Sequence, residues 1–133
     1  MSFQISGLPA EPFASLFDLP EKELATKGAV LQVVDQKPGF PCRVSLADAE
    51  VGETVILLNY EHLPVYSPYR ASHAIYVRQR VETANLAIGE VPDLLRLRLL
   101  SVRAFDEGGM MIDADVVHGH DLEPVLLKML GRS

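Results

Sequence analysis

The longest uninterrupted aliphatic run in this chain is Val55-Ile56-Leu57-Leu58, four residues long. A membrane-crossing helix needs ~20 consecutive apolar residues, so this chain predicts none. Aliphatic side chains at four consecutive positions, two of them β-branched, predict a strand whose two faces are both covered. That strand is expected from Thr54 to Tyr60. Stiff punctuation lies on either side of it: Lys37-Pro38-Gly39-Phe40-Pro41 before, and Pro64, Ser67 and Pro68 after. Each proline lacks the N–H that a sheet ladder requires, so neither segment can extend the sheet.

The remaining pattern fills in around this strand. Phe3 to Gly7 reads as a short opening strand. Pro12 to Leu16 and Glu21 to Thr26 read as single helical turns, with Pro20 suited to a first helical position. Ala29 to Val34 is apolar and β-branched, a second strand. Ser45 to Ala49 predicts a short helix capped by Ser45. Ser72 to Arg78 alternates, with His73, Ile75 and Val77 on one face, and Pro92 to Leu95 could open another helical turn. Leu97 to Phe105 and Met110 to Val117 form a hairpin around Asp106-Glu107-Gly108-Gly109, with a three-residue loop and a glycine in the left-handed position. Carried along both strands, that register sets Arg103 opposite Asp113 and Ser101 opposite Asp115. Apolar residues at 122, 125, 126, 129 and 130 have helical spacing, with Asp121 as cap and Gly131 as stop. No strand–long helix–strand alternation occurs, so the expected class is α+β: a mostly antiparallel sheet of four to six strands, short helices and a C-terminal helix.

Length and charge bound the function. The 133 residues, 48% hydrophobic, suit a single globular domain over 1–133, which should bury roughly two-thirds of its open-chain surface. No basic stretch followed by an apolar block marks a secretory signal, so the expected compartment is cytoplasmic. Cys42 is the single cysteine, which excludes an internal disulfide and a multi-cysteine metal site. A net charge of −6 argues against nucleic acid as partner, because phosphate binding needs a positive footprint. The charge is uneven. Residues 62–105 carry six arginines and three acidic side chains, while the flanking segments are acidic. Arginine holds a carboxylate or phosphate through two parallel hydrogen bonds, although arginines also pair with acidic neighbours at a surface.

Few residues carry distinctive chemistry. Cys42 beside Arg43, with His73 within conceivable reach, is the minimum for a nucleophile and its base, but a lone cysteine is more often a small buried hydrophobe. His73 on an apolar face reads equally as a satisfied core histidine. His118 and His120 would share a strand face, yet no third ligand stands at a recognised spacing, so no metal is expected. The phosphate loop, the dinucleotide glycine fingerprint, the nucleophile elbow and the zinc-protease helix are absent, and no cofactor is implied.

Several blocks together carry a family resemblance. They are Pro38-Gly39-Phe40-Pro41-Cys42-Arg43-Val44-Ser45-Leu46 with Asp48-Ala49, then Gly52-Glu53 and Leu57-Leu58-Asn59-Tyr60. Ser67-Pro68-Tyr69-Arg70-Ala71-Ser72-His73-Ala74-Ile75 and Arg103-Ala104-Phe105-Asp106 extend them. The chain resembles a bacterial family, domain of unknown function 1203, which has no established activity. The resemblance implies that Cys42, Arg43, Tyr69, Arg70, His73 and Arg103 are motif positions. The family pattern continues past the final helix into a strand with a histidine-asparagine motif and a cysteine. Those positions have no counterpart before Ser133, so a site they complete would be altered here.

Three functions follow as expectations. The first is a small-molecule binding domain, with an anionic ligand held by Arg43, Arg70 and Arg103 and a pocket lined by Cys42, Tyr69 and His73. Rigid loops on a sheet scaffold are where such sites sit. The second is an enzyme with Cys42 as nucleophile and His73 as base. The third is a structural or interaction module whose sheet edge or final helix docks a partner, a homodimer included.

Overall fold

The computed structural model describes residues 2–62, 67–69 and 71–131. Among these, five strands form two antiparallel sheets accompanied by four short helices, an α+β arrangement. The helices are α1 (Glu11–Ala14), α2 (Glu21–Thr26), α3 (Asp93–Arg96) and α4 (Leu122–Leu130). The strands are β1 (Val30–Val33), β2 (Thr54–His62), β3 (Ala71–Arg78), β4 (Leu99–Phe105) and β5 (Met111–His118). The chain divides into two compact units, one from residues 6–60 and 72–85, the other from 1–5, 61–71 and 86–133.

The first unit holds most of a three-stranded sheet in the order β1-β2-β3. β2 is central, as its aliphatic run requires, and its alternation splits the core in two. Ile56 points into a cluster of Phe13, Leu24, Ala29, Cys42, Val44, Ile75 and Val77, with Leu58 and Tyr60 packed against it. Val55 points the other way, onto Val34 and Ala49, where Phe40 and Tyr76 close the cluster with their rings 5.0 Å apart. The expectation that both faces of this strand are covered therefore holds.

Two local expectations for this unit fail. Residues 45–49 form no helix. Pro41 bridges Asp48, the Cys42 N–H donates to the Ala47 carbonyl, the Ala49 N–H donates to Phe40, and Leu46 turns through φ +54. Five residues yield too few helical bonds to offset nucleation, and the closed loop satisfies the same groups by pairing across it. His73 does not share the burial of Ile75 and Val77, because it lies near the start of β3 on its exposed stretch.

The second unit is built on the β4–β5 hairpin. The opening segment forms no strand in it. The Gly89 N–H donates to the Phe3 carbonyl and the Leu86 N–H to that of Ile5, so residues 2–5 run as a strap beside 86–89. α4 spans the predicted residues, but Asp121 makes no side-chain cap. A 3-10 turn over Gly119–Asp121 runs directly into α4, so the first turn meets a preformed backbone and needs no side-chain acceptor. No helix among the described residues is long and apolar enough to cross a membrane.

Candidate functional site

The hairpin sets the geometry of the second unit's cavity. Its turn is as the sequence predicts: Glu107 to Gly109 make the loop, and Gly109 takes φ +82. The Asp106 N–H donates to the Met110 carbonyl at 2.9 Å. The Met110 N–H donates back to Asp106 Oδ1 at 3.0 Å. Phe105 then pairs with Met111, but Ala104 pairs with Asp113, leaving Ile112 as an extra residue on β5. A one-residue bulge reverses the facing of everything beyond it. Arg103 therefore stands opposite Ala114, not Asp113, and Ser101 opposite Val116, not Asp115. Ala114 and Val116 are exposed, Val116 by 64%.

A cavity of about 460 Å³ opens against this hairpin. Its walls are Val102, Arg103, Ala104 and Phe105 of β4, the strap Ser2–Ile5, the bulge residue Ile112, and Leu126, Met129 and Leu130 of α4. The lining is mostly apolar, and among the described residues Arg103 is the one charged side chain on it. Arg103 is exposed and makes no ion pair among the described residues. Ligand cavities fall within ~300–1,000 Å³, mostly apolar with a few fixing polar groups, and this one has that form. Tyr69 belongs to the same unit. Its ring lies 6.1 Å from that of Phe105, two residues along β4 from Arg103.

Cys42, Arg43 and His73 belong to the other unit. Cys42 is 0% exposed, and its Sγ accepts the N–H groups of Ser45 at 3.4 Å and Arg78 at 3.3 Å. It bridges to Tyr76, while His73 stands three residues earlier on β3, about 10 Å away along an extended chain. Arg43 is exposed, and its N–H donates to the Tyr76 carbonyl. Arg70 lies outside the described residues. His118 and His120 stack with ring centroids 6.1 Å apart. No group of three or more metal-ligating side chains occurs among the described residues.

Around Cys42 the strongest electrostatic contact has no local sign in the sequence. Arg78 Nε donates to Glu53 Oε2 at 2.8 Å and Nη2 to Oε1 at 2.7 Å, a two-pronged pair across 25 residues of chain. Its Nη1 also reaches Ser45 Oγ at 3.4 Å. The guanidinium hydrogen bonds hold the Glu53 carboxyl below its ordinary value of 4.5, and the same bonds raise Arg78. Because folding depresses the Glu53 value, the pair's contribution is complete above about pH 4.5 and fades as acid protonates the carboxylate below it. Both side chains are partly solvated, so a contribution of about 1 kcal/mol is expected at pH 7. The gap in urea midpoint between the wild type and Glu53→Gln should be larger at pH 7 than at pH 3. An equal gap at both would refute the pairing.

The cavity-lining residues Phe3, Ile5, Ile112, Leu126 and Met129 read in the sequence as ordinary core. They come from separate stretches of chain, so no local pattern joins them.

A family model described as a protein of unknown function, DUF1203, matches residues 39–133. No curated protein and no solved structure matches the chain.

Proposed function

The chain belongs to DUF1203, a family of proteins of unknown function, and we propose that it binds a small anionic molecule with an apolar body in the cavity beside Arg103. The observation that carries this reading is the cavity itself: about 460 Å³, walled mostly by aliphatic and aromatic side chains, with Arg103 the single cation on the lining among the described residues. An apolar wall stabilises a ligand in proportion to the area it takes from water. It gives no orientation. A guanidinium that makes no ion pair among the described residues supplies that, because a carboxylate or phosphate can dock on it with two parallel hydrogen bonds. Tyr69, beside Phe105, adds a phenol close to the lining.

The test is a calorimetric titration with octanoate, octanol and octylamine. Octanoate should bind tightest. Arg103→Ala should weaken octanoate about tenfold, a loss of ~1.4 kcal/mol, and leave octanol unchanged. Val102→Trp, which fills the cavity, should weaken both. Equal affinity of wild type and Arg103→Ala for octanoate, or binding of none of the three, would overturn the reading.

A further inference from the structure

We infer that the ligand of the cavity is a short extended peptide ending in a free carboxylate, taken up as an added strand along the outer edge of β4. This inference rests on the binding reading above and narrows its ligand to one chemical class.

The cavity's lining has an unusual order. Val102, Arg103, Ala104 and Phe105 are four consecutive residues of one strand, and Ser2, Phe3, Gln4 and Ile5 are four consecutive residues of the strap. A cavity over the face of a strand is lined by alternate residues, because successive side chains point to opposite faces. Consecutive lining residues are what a cavity running along a strand's edge, walled by backbone, would give, with Ile112 of β5 reaching it from the bulge. β4 pairs only with β5. Beyond that ladder, residues 99–105 make no hydrogen bond among the described residues. In an antiparallel strand, alternate residues direct N–H and C=O to opposite edges. Every second residue of 102–105 therefore presents an unused donor and acceptor to the cavity.

The strap repeats this on the other side. Phe3 and Ile5 give their carbonyls to Gly89 and Leu86, so by the same alternation Ser2 and Gln4 direct theirs the opposite way. α4 supplies the apolar floor through Leu126, Met129 and Leu130. An alkyl acid would fill the floor and leave both backbone edges unsatisfied. An extended peptide satisfies them, with alternate side chains on the floor. Four residues of β4 span about 13 Å, the length of a tetrapeptide. Arg103 sets the charge complementarity, since a terminal carboxylate is the one anion every such peptide carries.

The probe is acetyl-Thr-Val-Thr-Val with a free C-terminus, titrated by calorimetry into the full chain. It is compared with its C-terminal amide, with versions N-methylated at each amide in turn, and with octanoate. The free acid should bind at least tenfold tighter than octanoate. Amidation should cost at least tenfold, and so should N-methylation at the amides that face β4. An amide that binds as well as the acid overturns the inference, as does an N-methyl series in which none is weaker than the parent. Octanoate binding with no tetrapeptide binding also overturns it while leaving the cavity reading in place. Absence of binding by either removes both.

Discussion

Gly119→Ala is expected to destabilise the protein by about 3 kcal/mol or more, an unusually large loss for adding one methyl group. A Cβ at this position would sit 1.7 Å from the Leu95 carbonyl oxygen and 2.6 Å from both Arg96 C and Arg96 Cα. These are backbone atoms at the end of α3, and they cannot swing away as a side chain can. The approach is fixed from both sides, because the Gly119 N–H donates to the Arg98 carbonyl at 2.7 Å. Relief would require separating α3 from the turn that leads into α4, which supplies the cavity's floor. Gly108→Ala is the control. Its nearest neighbour would be Asp106 Oδ1 at 3.4 Å, an ordinary contact, and it should change stability by less than ~0.5 kcal/mol. Urea denaturation followed by circular dichroism separates the two, and equal midpoints for both variants would show that the close approach at Gly119 does not exist in solution. Octanoate binding by Gly119→Ala should fall with the floor, where Gly108→Ala keeps it.

The legible parts of this fold are those decided by a few consecutive residues. Val55 to Leu58 announces a strand with two covered faces, and the structure covers both. The spacing from Leu122 to Leu130 announces a helix with those bounds. The turn at Glu107-Gly108-Gly109 was legible because a left-handed position calls for glycine. The register beyond it was not. The bulge at Ile112 inserts one residue, and nothing in Met111-Ile112-Asp113 distinguishes it from straight alternation. That single residue moves Arg103 from facing Asp113 to facing Ala114, and leaves it without the cross-strand carboxylate that the alternation had assigned.

The site divides on the same principle. Arg103 was visible as a candidate because of its residue type, but its surroundings were not, since the strap, β4, the bulge and α4 meet only in three dimensions. Cys42 shows the reverse. Its residue type alone leaves a nucleophile and a small buried hydrophobe both open, and only the fold puts it among Val44, Ile56, Ile75 and Val77, where its sulfur accepts two backbone N–H groups.

Ile56→Ala should cost about 3 kcal/mol, through lost burial and the cavity it leaves. The side chain is 0% exposed and touches a cluster drawn from α1, α2, the loop around Cys42 and β3, so no single neighbour can collapse into the gap. Val55→Ala, also at 0% exposure, should cost about 2 kcal/mol, less because the deleted side chain is smaller. Asn59→Ala, exposed on the same strand, should lie within ~0.5 kcal/mol of wild type. The pair of core substitutions tests the two-faced arrangement directly. Ile56 and Val55 belong to different clusters, one around Phe13 and the other around Val34. Each substitution should therefore show its own loss, and the double variant should lose more than either single one. Urea midpoints with an unchanged denaturant slope give each value. A strand covered on one face would give one large and one negligible loss, and that result would undo the assignment of β2 as the central strand.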